Sequence, residues 1–388
     1  MRNMPELRFS GFKDAWEEKE LNQIIEISKQ KFNPKNSIHK ICIELEHISS
    51  ETGKLLGFVD SINQESIKNI FKKNQIIYGK LRPYLRKFWF AKFNGVCSSE
   101  FWVINGKNVE NKYLYFLIQT EKFHQIANVS FGSKMPRADW SYLSLSNFFI
   151  SPDLLEQQKI ASFLSAIDKK IELTDKKLEY LESYKKGLMQ KLLTGEIRFP
   201  GFNDEWKQEK LGNILKERQE YTSKNNNSQH LSLTINGILL KTERYNRDFL
   251  VKNSNKKYKI TYKNDICYNP ANLKFGVICK NNFGKGIFSP IYVTFEVNKN
   301  FNKNFIGYFI RTKKFIKQAL KYQEGTIYER MSVNPEDLLS IKIKLPSPPE
   351  QQKIASFLSA IDKKIELTKS RLENLKTYKK GLLQKMFV

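Results

Sequence analysis

The sequence predicts an α+β protein: two α/β domains with twisted sheets, joined by two long antiparallel coiled-coil helices in a pseudo-twofold arrangement. Three observations carry this. A stretch of 19 residues, Glu156 to Thr174, recurs letter for letter from Glu350 to Thr368. An apolar period of 3.5 residues runs unbroken through both copies. The segments between the copies are rich in short aromatic and β-branched runs bounded by turn residues.

The first segment, residues 1–152, opens on Arg8-Phe9-Ser10-Gly11-Phe12-Lys13-Asp14-Ala15-Trp16. Strands are expected at Gln75–Tyr78 and Phe101–Ile104, and a helix from Asn111 to Ile126. The second segment, 194–346, opens on a similar Arg198-Phe199-Pro200-Gly201-Phe202-Asn203-Asp204-Glu205-Trp206. It repeats the plan with a strand over Ile291–Val297 and a helix from Asn304 to Tyr322. Fragments of sequence still correspond: Ile77-Tyr78 with Cys267-Tyr268, and Gly132-Ser133-x-x-x-Arg137 with Gly325-Thr326-x-x-x-Arg330.

The segments 153–193 and 347–388 are the helices. Their seam positions are Ile160, Leu164, Ile167, Ile171, Thr174, Leu178, Leu181, Lys185, Leu188 and Leu192. The second copy repeats them as Ile354, Leu358, Ile361, Ile365, Thr368, Leu372, Leu375, Lys379, Leu382 and Met386. A strict 3.5-residue period specifies a left-handed coiled coil. About 40 residues at 1.5 Å each give roughly 60 Å of helix. Prolines before or at each start (Pro152; Pro346, Pro348 and Pro349) suit a first helical turn. Two matching copies in one chain favour pairing within the molecule, which places one domain at each end of a rigid strut. A homodimerisation helix or a plain stalk is the competing reading.

Charge narrows the partner. The chain carries a net +26, divided as +7 and +13 on the two divergent segments and +1 and +5 on the helices. An excess of cations on the divergent segments suits a phosphate-rich partner, double-stranded DNA. Basic and aromatic residues interleave: Lys68, Lys72, Lys73, Lys80, Arg82, Arg86 and Lys87 with Phe71, Tyr78 and Tyr84. The second segment offers Arg244, Arg247, Lys252, Lys256, Lys257, Lys259 and Lys263, then Asn269 and Lys274. Lysine and arginine neutralise phosphates, whereas base choice needs Arg on guanine or Asn/Gln on adenine. Candidates for DNA contact are Lys72, Lys73, Lys80, Arg82, Ser133, Lys134, Arg137, Asn269, Lys274, Thr326, Tyr328 and Arg330. For any one of them a solvated surface charge is the bland account, and a structural loop accounts equally for the Gly-[Ser/Thr]-x-x-x-Arg echo.

Other classes find little support. No apolar run reaches the ~18 residues of a membrane helix. Charged residues follow Met1-Arg2-Asn3-Met4-Pro5, so no signal peptide is expected. Cys42, Cys97, Cys267 and Cys279 lie far apart, as in a cytoplasmic protein without disulfides or zinc. No Walker A loop occurs. Ser289-Pro290-Ile291-Tyr292 departs from an amino-methyltransferase motif at its third residue. Glu17-Glu18-Lys19 is expected to lack the strand setting of a nuclease site. His39, His47, His124 and His230 form no catalytic set.

The repeated Glu-Gln-Gln-Lys-Ile-Ala-Ser-Phe-Leu-Ser-Ala-Ile-Asp-Lys-Lys-Ile-Glu helix, and Gly79-Lys80-Leu81-Arg82-Pro83-Tyr84, resemble the conserved regions of type I restriction–modification specificity subunits. The resemblance spans essentially the whole chain. It implies two target recognition domains, each reading half of an asymmetric bipartite DNA site. It implies a non-catalytic subunit that binds no cofactor itself. Two modification subunits with S-adenosylmethionine and two restriction subunits using ATP and Mg2+ are the implied partners. A stand-alone regulator with two reading heads is the alternative, and a coiled-coil scaffold a third.

Overall fold

The computed structural model describes residues 3–36, 39–129, 135–223, 229–244, 257–324 and 331–388. The chain forms two compact units, residues 1–176 with 370–388, and residues 177–369. The units divide inside the two long helices, so each unit takes part of both.

In the first unit, β1 (Glu17–Glu20) pairs antiparallel with β6 (Asn147–Ile150). A four-stranded antiparallel sheet holds β2 (Ile25–Ile27), β5 (Phe101–Gly106), β3 (Ile76–Gly79) and β4 (Phe88–Phe90), in that order. The Ile-Ile-Tyr-Gly run of β3 is buried along its whole length, and Tyr78 stacks on Trp102 at 5.9 Å. A five-stranded sheet lies beside it, with one parallel pair, Ile41–Ile43 against Gly95–Cys97. Behind β5 come α1 (Asn111–Leu117) and α2 (Glu121–Ala127).

The second unit repeats the frame. The ribbon is β7 (Lys207–Lys210) with β12 (Lys342–Leu345). The four-stranded sheet runs β8 (Leu215–Glu217), β11 (Val293–Val297), β9 (Ile266–Tyr268) and β10 (Ile278–Lys280). Tyr268 stacks on Phe295 at 5.7 Å, in the role of the Tyr78–Trp102 pair. Then come α4 (Lys303–Phe309) and α5 (Lys313–Ala319).

Three expectations need correction. The single helices expected over 111–126 and 304–322 are each broken in two. Thr120 and Thr312 end one helix, their hydroxyls donating to Leu117 and Phe309 carbonyls at 2.7 and 2.8 Å. The same hydroxyls accept the N–H of Phe123 and Phe315 and so cap the next helix. The strand expected from Ile291 begins at Val293. Glu17–Glu20 does form a strand, although its side chains carry no apolar alternation; Glu17 pairs with Lys19 at 2.8 Å.

The long helices are α3 (Leu154–Leu192) and α6 (Pro348–Met386). Every seam position named above is buried or half-buried. In the first unit Ile160 and Leu164 share a core with Leu382, Leu383 and Met386. Asp168 pairs with Lys379 at 2.7 Å. In the second unit Leu181 packs with Ile361 and Ile365. There Lys185 pairs with Asp362, and Glu182 with Lys369 at 3.0 Å. As α3 numbers rise α6 numbers fall, so the packing in each unit is antiparallel. The polar seam residues are satisfied. Thr174 and Thr368 each return a hydroxyl hydrogen bond of 2.7 Å to the carbonyl four residues back, from Lys170 and Lys364.

Candidate nucleic-acid interface

The repeated motifs build the frame that holds the loops. Arg8 grips the carboxylate of Glu156 with two hydrogen bonds, at 2.6 and 2.9 Å, and Glu156 is wholly buried. Trp16 and Ser151 donate to the same carboxylate at 3.2 and 2.5 Å. One turn-pair further along α3, Phe163 meets the ring of Phe9 edge-on at 5.6 Å. In the second unit Arg198 grips buried Glu350 at 2.9 and 2.7 Å, and Phe357 meets Phe199 at 5.4 Å. Gly11 and Gly201 sit at φ +103° and +91°, which explains glycine in both opening motifs.

The next motif residue fixes the sheet to the helix. Gln157 donates to the Ser151 carbonyl and accepts the Glu110 N–H, at 2.8 and 2.9 Å. Gln351 does the same with Pro346 and Asn302, at 2.9 and 3.2 Å. These contacts lock the last strand, the long helix and the start of α1 or α4 into one block.

In each unit an inner strand of the four-stranded sheet, β3 or β9, ends in a turn. After β3, Lys80 donates its N–H to the Glu100 carbonyl at 2.9 Å and accepts that of Ala138 at 2.8 Å. Arg82 N–H donates to Pro136 at 2.7 Å. The Gly79–Tyr84 turn therefore lies directly against residues 136–138. Arg82 and Arg86 both have left-handed backbones, φ +51° and +48°, around the short 3-10 turn Pro83–Leu85. Pro83 is buried, and Tyr84 beside it is 55% exposed. Lys72 and Lys73 sit at the other end of β3, seven or eight residues away, roughly 20 Å in strand geometry. There Lys73 N–H donates to Asn94 at 2.8 Å.

In the second unit β9 runs into the 3-10 helix Pro270–Phe275. Leu273 is its buried anchor, Phe275 is 63% exposed, and Gly276 follows at φ +81°. The Lys274 ammonium lies over the Phe275 ring at 5.1 Å. The Tyr268 hydroxyl donates to the Val333 carbonyl at 3.0 Å, tying this turn to the chain just beyond 330.

These placements sort the candidates. Lys80, Arg82 and Arg137 come together, while Lys72 and Lys73 form a separate exposed pair. Arg137 is engaged by Glu100 at 3.0 and 3.1 Å. Lys72, Lys73, Lys80 and Arg82 make no side-chain hydrogen bond or ion pair with the described residues. Asn269 is buried, and its backbone N–H donates to the Val277 carbonyl at 3.0 Å. Ser133, Lys134, Thr326, Tyr328 and Arg330, with Arg247, Lys252 and Lys256, lie outside the described residues. Several basic residues are consumed internally. Lys68 pairs with Glu44, and Lys259 with Glu217, each at 2.6 Å and both buried. Arg86 holds Glu121 at 2.7 Å and keeps its carboxyl below the usual range. Lys87 donates to the Leu45 carbonyl at 2.5 Å, its pKa lowered by burial. Phe275 was not singled out from sequence; its sign was an aromatic residue just before a glycine in a Pro-led turn.

No group of three or more His, Cys, Asp or Glu among the described residues could hold a metal ion. Burial raises the thiol pKa of all four cysteines, Cys42 to about 12 and Cys279 to about 11. No helix among the described residues is long and apolar enough to cross a membrane.

The family described as the type I restriction modification DNA specificity domain matches twice, over residues 13–183 and 203–377. The chain belongs to this family. Each match begins near the opening motif of one repeat and ends within a long helix, so one specificity domain corresponds to one repeat. Curated relatives agree. A protein of Methanocaldococcus jannaschii, provisionally assigned as the type I restriction enzyme MjaX specificity subunit, is 26% identical over 98% of this chain and 95% of its own. The EcoDI specificity subunit of Escherichia coli is 27% identical over 47% of this chain and 42% of its own.

Among solved structures, the type I S subunit of M. genitalium has the same fold, with a TM-score of 0.59, 17% identity, and 99% of both chains covered. A chain from a structure on complex assembly and conformational transition of the type I system gives 0.58 and 16% identity, over 96% of this chain and 97% of that one. As a specificity subunit the chain supplies sequence recognition to a restriction–modification system, and carries no catalysis of its own.

Proposed function

We propose that the chain reads an asymmetric, bipartite site in double-stranded DNA, one half-site per unit, and scaffolds two modification and two restriction subunits. One observation carries the reading. Both units share the same clamp, Arg8–Glu156 and Arg198–Glu350, yet corresponding strands of their four-stranded sheets end in turns of different sequence, Lys80-Leu-Arg-Pro-Tyr84 and Pro270-Ala-Asn-Leu-Lys-Phe275. A common frame with unlike tips suits two different half-sites. Exposed Lys72, Lys73 and Lys274, with half-buried Lys80, meet phosphates, and Arg82 reads a base.

In this reading S-adenosylmethionine, ATP and Mg2+ are bound by the partner subunits and none by this chain. The complex works in the cytoplasm, on DNA. A chain of this fold occurs in a structure described as concerning assembly of a type I system, which favours association with other subunits of such a system. The test is purification of tagged chain from its host, together with methylation mapping with and without its gene. Stoichiometric methyltransferase and loss of one bipartite methylation motif are expected. A chain that purifies alone and leaves the methylome unchanged favours the stand-alone regulator.

A further inference from the structure

Tyr84 and Phe275 occupy the same place in two turns that share little sequence. In each, a buried anchor (Pro83 or Leu273) is followed within two residues by an exposed aromatic ring. A left-handed residue, Arg86 or Gly276, then closes the turn. The first turn is held by backbone hydrogen bonds at Arg82 and at Arg86, whose carbonyl accepts the Glu51 N–H at 3.0 Å. Two arginines with positive φ, Arg82 and Arg86, flank this turn and are strained, and strain persists only where the surroundings enforce it. The result is a rigid pedestal that presents an aromatic ring to solvent, at a cost in unburied apolar surface.

We propose that Tyr84 and Phe275 enter or cap the base stack of duplex DNA, one in each half-site; this rests on the reading of the chain as a two-headed DNA reader. The local chemistry fits base steps. A ring stacks on any base, and apolar side chains wedge between steps. A cation accompanies each ring: Arg82 two residues before Tyr84, and Lys274 over Phe275 at 5.1 Å. The cation meets phosphate while the ring meets bases. A rigid pedestal spends little ordering entropy when it does so.

The test uses the assembled methyltransferase and duplexes carrying 2-aminopurine at successive positions of each half-site other than the methylated adenine. Wild-type complex should brighten the probe several-fold at one step in each half-site. Tyr84→Ala should abolish the signal in one half-site and leave the other, and Phe275→Ala should do the reverse. Tyr84→Phe should keep both signals. Brightening untouched by both alanine variants, or no brightening despite selective binding, overturns the proposal. So does loss of the modification subunit from Tyr84→Ala, which marks a protein contact instead. If the wild-type complex selects no duplex at all, the underlying reading fails and this inference with it.

Discussion

Arg8 and Glu156 lie 148 residues apart and form a two-pronged ion pair of 2.6 and 2.9 Å, with the carboxylate fully buried. The pair joins the two repeated motifs, and Arg198–Glu350 reproduces it in the second unit. Removing one partner from a buried pair strands a charge and typically costs about 3–5 kcal/mol. Arg8→Ala should therefore destabilise the first unit by roughly 3 kcal/mol, with Ser151 and Trp16 still hydrogen-bonded to Glu156. Domain-resolved hydrogen exchange checks this: protection should fall in residues 3–129 and stay unchanged in 257–324.

Asp168 and Lys379 meet at the seam, and burial raises the Asp168 pKa while Lys379 lowers it. Lys379→Met should raise it further. A carboxyl with a raised folded-state pKa favours folding at low pH, and that stability is lost as pH rises through the folded pKa. The variant should thus be weakest relative to wild type near neutrality, by about 1–2 kcal/mol since the pair is part-exposed, and the deficit should shrink in acid. Urea unfolding at several pH values measures it.

His124 is buried against Phe88 and Phe123, and burial pushes its pKa down to about 4. The unfolded chain takes up this proton near pH 6.5 and the folded chain does not. Stability from His124 is present above pH 6.5 and lost as pH falls towards 4, by roughly 3 kcal/mol in all. His124→Phe should lack this component. Its stability relative to wild type should be constant above pH 7 and improve steadily between 6.5 and 4.

The two basic clusters of the first unit should separate functionally. Neutralising Lys72 and Lys73 to Gln should weaken binding to all duplexes alike and flatten its salt dependence. Arg82→Ala should relax preference at one position, at about 1–3 kcal/mol if it reads a base. Competition binding across single-substitution duplexes at two salt concentrations distinguishes them. Equal effects on every sequence from Arg82→Ala would assign it to phosphate.

The helices were legible because an exact repeat and a fixed 3.5-residue period leave few alternatives. Every seam residue from Ile160 to Met386 is at least half-buried. The sheets were legible where apolar runs are concentrated, at Ile76–Gly79 and Phe101–Gly106. The ribbon strand Glu17–Glu20 was not, because its pairing comes from β6 and not from its own side chains. Thr120 and Thr312 each precede a charged residue, a lysine and a phenylalanine, a capping signal masked by the long apolar stretches around it. Both motifs of the Arg–Glu clamp were visible as repeats, yet periodicity gives no sign that residues 148 apart touch. Among the basic residues, sequence could not distinguish Lys68 or Lys259, each neutralised by an internal glutamate, from exposed Lys72.

The central claim is that each unit reads its own half-site, and a domain exchange tests it most directly. Residues 1–152 are replaced by the equivalent segment of a related specificity subunit, leaving the helices and second unit intact, and methylated sites are mapped by single-molecule sequencing. One half of the bipartite motif should change to that of the donor, with the other half unaltered. A motif rewritten in both halves, or in neither while methylation persists, would contradict the account.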